Sequence, residues 1–383
     1  MHLHPVISAA ESITEPPESF HIGSHRVDRA VCIMQDARLK LLTLCKALYP
    51  LAEELLYSRV ILYGNSLKSG SFQKAAMGFL SGGRKRRRGE ATNLLLIDTF
   101  GVKDLSLHLD LGSLCPRLHI LYLFGDISTI NAKIDAGWSL GLKMLTLHSF
   151  QFKWHDLRVL SVCFPRLDVL KLSNPDIDTE LDPTVIEKAV FPRLEFLVIT
   201  IQSFGDIPIH NLELPCLRWL SVSVDEVQTD TGATVDAFAV IEALLQTCKK
   251  TLIGVELDIG PLLDYPQLCI DTFEIVPNLE TLVCYFTIYY NDIVPEDVYS
   301  SMTPHNLKHL VIYTDNCNLL QRYLVRFMAL FTSLSYFPQL KEIAFVFLDA
   351  FHNVPLSSPA MSLVCTVQLL FPNAAVKGKN GQL

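Results

Sequence analysis

One phrase recurs nine times between Leu118 and Phe345, and no other feature of this chain restricts its fold so tightly. In its full form an apolar residue and a proline lead into Leu-x-x-Leu-x-Leu. Cys115-Pro116-Arg117-Leu118, Phe164-Pro165-Arg166-Leu167, Phe191-Pro192-Arg193-Leu194, Leu214-Pro215-Cys216-Leu217, Val276-Pro277-Asn278-Leu279 and Phe337-Pro338-Gln339-Leu340 each open such a copy. Three copies, at 142–147, 252–257 and 307–312, lack the proline. The anchor leucines follow one another at intervals of 24, 25, 27, 23, 35, 27, 28 and 33 residues. A unit of that length holds one short strand and a return segment. It cannot bury its apolar side alone, so it must stack on copies of itself.

Within each phrase the last two leucines alternate with their neighbours, which puts them on one face of a strand. The first leucine packs the turn. Stacked strands then form a parallel sheet, with helices or irregular returns on the outer side. The predicted fold is α/β: a right-handed leucine-rich-repeat solenoid, a horseshoe, with a short N-terminal helical module. The residues flanking the inward leucines fall on the concave side. They include Ile120, Tyr122 and Phe124; Met144, Thr146 and His148; Val169, Lys171 and Ser173. The row continues through Phe196, Val198 and Thr200; Trp219, Ser221 and Ser223; Thr281, Val283 and Tyr285; and His309, Val311 and Tyr313. An exposed surface so rich in aromatic residues marks a site for an unknown protein substrate, with Trp and Tyr as typical anchors. The competing reading is that terminal segments or the insertion at 225–235 fold back over it. A register error of one residue would exchange the two faces.

Five segments are expected. Residues 1–29 form a loose N-terminus, 30–63 a helical module, and 64–91 a basic, glycine-rich loop. The repeats occupy 92–350, and 351–383 form a C-terminal cap and tail. Pro50 is placed to start a short helix over 51–57, and Arg59–Tyr63 reads as a strand. Residues 93–99 look like an imperfect opening repeat. The insertions that lengthen two intervals read as amphipathic helices at 236–250 and 318–333, and 360–371 as a capping helix.

The stretch from Leu41 to Ala52, containing Leu44, Cys45, Tyr49 and Pro50, continues through Leu56 and Tyr57 into Val60. With the Phe-Pro-Arg-Leu phrases, it resembles the fungal F-box proteins that carry irregular leucine-rich repeats, and specifically the second half of the box. Residues 1–29 do not supply the Leu-Pro-x-Glu opening of that box. The resemblance implies that Leu44, Cys45, Tyr49, Pro50, Leu56 and Tyr57 dock a Skp-type adaptor of a cullin–RING ubiquitin ligase. Without its first half the docking surface would be incomplete. It further implies a non-enzymatic adaptor whose concave face selects a protein for ubiquitylation. The alternatives are a scaffold with no ligase connection and a nuclear factor that contacts nucleic acid.

Charge and motif content narrow the rest. A formal net charge of −8 argues against nucleic acid as the partner of the chain as a whole. The run Arg84-Lys85-Arg86-Arg87-Arg88 reads as a solvated insertion, a nuclear localisation signal or a phosphate-binding loop. No window is apolar for the ~18 residues a membrane helix needs, so a cytoplasmic or nuclear protein is expected. Ten cysteines lack C-x-x-C spacing, and several occupy apolar repeat positions, where cysteine serves as a small hydrophobe. His305-x-x-x-His309 overlaps a predicted strand, on which the two rings diverge. His2, His4, His21 and His25 lie in a segment with no predicted scaffold. No metal, no cofactor and no catalytic constellation is predicted.

Overall fold

The turn before each strand explains the proline. In the computed structural model, the amide of Leu118 donates to Cys115 O, that of Leu167 to Phe164 O, that of Leu217 to Leu214 O, that of Leu279 to Val276 O and that of Leu340 to Phe337 O. Each is a four-residue turn with proline second. There the ring's fixed φ suits the chain reversal and its missing N–H is not needed. The structure describes residues 49–63, 71–81, 86–98, 111–124, 141–148, 151–173, 176–178, 188–201, 211–224, 237–258, 271–286, 305–314, 337–347 and 375–377.

The elements run in chain order as α1 (Tyr49–Ser58), β1 (Arg59–Tyr63), α2 (Ser71–Met77), a 3-10 turn (Arg88–Ala91) and β2 (Leu94–Asp98). Next come α3 (Leu111–Leu114), β3 (Ile120–Phe124), β4 (Met144–His148), β5 (Gln151–Lys153), α4 (Trp154–Cys163), β6 (Val169–Ser173) and β7 (Asp176–Asp178). They continue as β8 (Ala189–Val190), β9 (Phe196–Ile201), β10 (Leu212–Glu213), β11 (Trp219–Val224), α5 (Ala237–Cys248) and β12 (Gly254–Asp258). The last described strands are β13 (Thr281–Phe286), β14 (His309–Thr314), β15 (Glu342–Phe347) and β16 (Ala375–Lys377).

Twelve strands form one open sheet in the order β1-β2-β3-β4-β6-β9-β11-β12-β13-β14-β15-β16. Every adjacent pair is parallel, and the register never slips. Two short pairs, β5 with β7 and β8 with β10, are also parallel and lie in the return segments. Both the strands and part of their returns therefore stack repeat upon repeat.

The constant register turns the sheet into straight rows. The second row runs Leu95, Leu121, Leu145, Leu170, Leu197, Leu220, Val255, Leu282, Leu310 and Ile343, all buried. The fourth row, from Leu62 and Ile97 to Cys284 and Ile312, shares that face. All nine anchor leucines, from Leu118 to Leu340, are buried in the same continuous cluster. At about 25 cal/mol per Å2 of apolar surface removed from water, such a ladder is the main stabilising term of the molecule.

Helix α5 falls within the segment expected to be helical at 236–250, and it sends Ile241, Leu244, Leu245 and Cys248 into that cluster. Between residues 64 and 91 the described chain differs from a plain loop. It contains α2 and a backbone pairing of Phe79 with Arg87. Gly89 lies so close to α3 that a Cβ there would stand 1.9 Å from Leu114 O. The glycine is a packing requirement, which a reading of the segment by composition does not reveal. The segments at 318–333 and 360–371 lie outside the described residues, as do Leu44, Cys45, Arg84 and Lys85.

Candidate functional site

The face of the sheet opposite the leucine ladder carries the residues expected there, in the expected register. Its first row contains Ile120, Met144, Val169, Phe196, Trp219, Gly254, Thr281 and His309. The third contains Tyr122, Thr146, Lys171, Val198, Ser221, Glu256, Val283 and Val311. The fifth contains Phe124, His148, Ser173, Thr200, Ser223, Asp258 at its β12 position, and Tyr285 beside Tyr313.

These rows divide into three zones. At the N-terminal end Phe124 packs with Ile61 and Leu96, with Tyr122 against them. The ring of His148 meets that of Phe124 at 5.5 Å, tilted. Burial pushes the Tyr122 phenol up to about 12, against the opposing charge of Arg59, so it stays protonated. At the other end Trp219, Val283, Tyr285 and Tyr313 form a cluster, with Phe196 and Val311 packed on it. Tyr285 and Tyr313 stack with ring centroids 4.5 Å apart.

Polar groups fill the space between. The Tyr285 hydroxyl donates to Glu256 Oε1 at 2.6 Å, and Ser223 Oγ donates to Asp258 at 3.4 Å. Burial pushes the Tyr285 phenol far above its usual range, and the neighbouring carboxylates add to that. Burial pulls the Lys171 ammonium below the usual lysine range, while the charge of Glu256 works against the shift. Lys171 thus feels Glu256 from three strands away, across Val198 and Ser221.

Among the described residues three donors on this face have no hydrogen-bond partner: Thr146 Oγ1, Trp219 Nε1 and Ser221 Oγ. Each belongs to a side chain less than a tenth exposed. Leaving one such group unpaired costs about 1–3 kcal/mol.

The face was expected to be exposed, and its aromatic residues are not. Trp219, Tyr285 and Tyr313 are 8%, 3% and 8% exposed. The indole of Trp219 fills the space a side chain at position 254 would occupy, where a Cβ would fall 2.1 Å from Trp219 Cε3. His309 stands apart from this cluster, with Nδ1 3.8 Å from a Glu342 carboxylate oxygen.

Glu256 and Asp258 were not among the expected site residues. The phrase at 252–257 assigns them the same face by its register. His305 is buried, with Nε2 2.9 Å from Val276 O, and His309 begins a strand, so the two rings share no site. Among the described residues no group of His, Cys, Asp or Glu is arranged to hold a metal ion. Burial raises the Cys115 thiol to about 11 and the Cys248 thiol to about 12, as befits cysteines used as apolar filling.

A second surface lies on the N-terminal helical module. On α1, Leu56 and Tyr57 are half-buried, while Tyr49, Leu51 and Leu55 are exposed. Met77 and Phe79 are exposed as well. Two arginines of the basic run, Arg86 and Arg88, are folded onto this helix. Arg88 Nη2 pairs with the buried Glu53 at 2.9 Å, and the Arg88 guanidinium lies over the Tyr57 ring at 5.2 Å. Arg86 pairs with Glu54. Both Ser81 Oγ and the Ser81 amide donate to Glu53 Oε2, at 2.6 and 2.8 Å. Arg86 and Arg88 are therefore parts of a packed module rather than of a solvated insertion. Arg87 remains exposed.

Among the described residues no helix is long and apolar enough to cross a membrane. No family model matches the chain, and no curated protein matches it. A crystal structure of a Bacteroides fragilis protein is similar over 93% of this chain and 83% of its own, with a TM-score of 0.42 and 14% identity.

Proposed function

We propose that this chain is a non-enzymatic protein-recognition adaptor. In this reading the twelve-stranded sheet is the inner wall of a right-handed leucine-rich-repeat horseshoe, and the face opposite the leucine ladder is its concave, partner-binding side. The observation that carries the proposal is the set of three buried donors on that face with no partner among the described residues, one of them, Thr146, next to Lys171, whose charge burial disfavours. A buried polar group left unpaired calls for an explanation, and contact with another molecule is the one this reading takes.

The N-terminal module is the proposed link to a Skp-type adaptor of a cullin–RING ligase, in keeping with its resemblance to the second half of an F-box. The exposed Tyr49, Leu51 and Leu55 supply the apolar contact, and Leu56 and Tyr57 hold α1 to the body. A nucleic-acid role for the basic run is less favoured, because Arg86 and Arg88 already face Glu54 and Glu53. A cytoplasmic or nuclear location follows from the ligase reading.

Two measurements test the proposal. Affinity capture with the full chain should yield a protein that rebinds in purified form and is lost with Trp219→Ala at unchanged circular dichroism. Co-expression with a Skp-type adaptor should give a complex that Leu55→Asp abolishes while the melting temperature holds. Binding that survives Trp219→Ala removes the sheet face from recognition. A folded wild type that never engages the adaptor leaves a scaffold without ligase connection.

A further inference from the structure

We infer that the edge of the sheet at which the strands begin, from β3 to β12, docks an acidic, extended segment of a partner protein. Such docking rests on the recognition reading above and gives it a second surface, beside the sheet face rather than on it. The strands are all parallel, so the turns that enter them line one edge. On the neighbouring rungs β3, β4, β6, β9, β11 and β12 those turns carry Arg117, Lys143, Arg166, Arg193, Arg218 and Lys250, each exposed. The acids in the same turns are Asp168 and Glu195. Six cations against two acids is a local excess of the opposite sign to the chain, whose formal net charge is −8. A stripe of one sign concentrates anions along it.

Folding does not account for the excess. The residue before the anchor leucine is Arg117, Arg166 or Arg193 in three copies, but Gly141, Cys216, Asn278 or Gln339 in others. The turn therefore closes without a cation. Among the described residues, the side chains of Arg117, Lys143, Arg166, Arg218 and Lys250 make no ion pair or hydrogen bond. Arg193 reaches Asp168 only at 3.9 Å, with its side chain 62% exposed. Lys250 alone has a local reason to be basic, just past the C-terminal end of α5.

The spacing suits an extended peptide. Strands about 4.8 Å apart put roughly 24 Å between the first and last of these rungs, a length that about seven extended residues cover. Asp168 and Glu195 enter the middle rungs, β6 and β9. A peptide can set uncharged residues against them, whereas a nucleic-acid strand carries a charge at every link. The described turn residues also offer no exposed Phe, Tyr or Trp on which a base could stack.

Fluorescence anisotropy on the full chain tests this with three probes. They are a capped peptide of alternating Glu and Ser long enough to span the edge, the same peptide with Gln for Glu, and a single-stranded thymidine oligonucleotide of equal charge. The Glu peptide should bind at least about ten-fold more tightly than the Gln peptide, and the difference should shrink as salt is raised. Lys143→Glu with Arg166→Glu should weaken that binding about ten-fold or more. Both side chains are exposed, so the melting temperature should hold. Lys74→Glu with Arg87→Glu, exposed positions of the N-terminal module, alters the net charge equally and should change binding by less than about two-fold.

Equal affinity for the two peptides overturns the inference, as does tighter binding of the oligonucleotide. A preference that survives the edge reversal, or that the control reversal lowers as much, places the anion elsewhere and overturns it too. Trp219→Ala should leave peptide binding intact, and loss of binding there would move the segment onto the sheet face and away from this edge. Capture of a partner at the sheet face is read separately, so either surface can fail while the other stands.

Discussion

Two positions show how far single residues set the behaviour of this sheet. His305 is enclosed by Phe273 and Phe337, with ring centroids at 5.0 and 6.5 Å. Burial pulls its proton affinity below the ordinary 6.5, and the hydrogen bond to Val276 O only partly opposes this. A folded-state value below the unfolded one means that the unfolded chain takes up the proton first. The stabilisation is complete above 6.5 and is lost as pH falls through that value. The melting temperature of the wild type should therefore drop more steeply below pH 6.5 than that of His305→Gln, which keeps a donor for Val276 O but does not titrate. Parallel pH profiles would show that His305 is not the source. Gly254 is the second case. Ala at this position drives its Cβ into the Trp219 indole and should cost about 1–3 kcal/mol by overpacking. Adding Trp219→Ala should recover most of that loss in a double-mutant cycle. Strictly additive costs would mean that the indole does not fill the space above Gly254.

Among the elements, α1 depends on a buried charge more than on its propensity. Glu53 is 2% exposed, and burial pushes its carboxyl up. The Ser81 hydroxyl and amide and the Arg88 guanidinium outweigh that and hold it below its ordinary value of 4.5. The folded-state value is depressed, so the stabilisation is present above pH 4.5 and lost as the pH falls through the folded value. Glu53→Gln leaves Arg88 against a neutral amide in a half-buried place and should cost about 2–3 kcal/mol near neutral pH. The gap to wild type should close in acid, as read from urea unfolding at a series of pH values. A gap independent of pH would show that packing, not charge, holds the module. This is also where the amino-acid sequence was least legible. A run of basic residues advertises charge, but nothing local to it names carboxylates some thirty positions away. The helix containing Pro50 was readable because a proline in the first turn is a local signal, as was β1 from its β-branched and aromatic residues. The pairing that fixes Arg86 and Arg88 to α1 is purely tertiary. The exposure of Leu55 in place of Leu56 was hidden for the same reason: it depends on which side of α1 meets Arg88.

At the scale of the whole molecule the fold is a ladder without a centre, and this is why so much of it could be read in advance. Each strand pairs only with its neighbours, and the phrase that builds one rung builds the next. The faces of β3, β4, β6, β9, β11, β13 and β14 therefore followed from alternation alone. The burial of the aromatic face did not follow, because it arises where Trp219 lies over Gly254 and Tyr285 reaches Glu256, contacts between rungs that no single phrase contains. A ladder also has a distinctive stability. In a body with one shared core, a cavity weakens every element together, whereas in a linear array its cost is felt by the rung and those beside it. Leu220 is fully buried in the middle of the ladder, and Leu220→Ala should cost about 3–5 kcal/mol. Amide hydrogen exchange should then quicken strongly in β11 and in its partners β9 and β12, and little in β2 or β3. An equal acceleration of every strand would mean that the sheet melts as one cooperative unit, and the stability of this protein would have to be assigned to a single core rather than to its successive repeats.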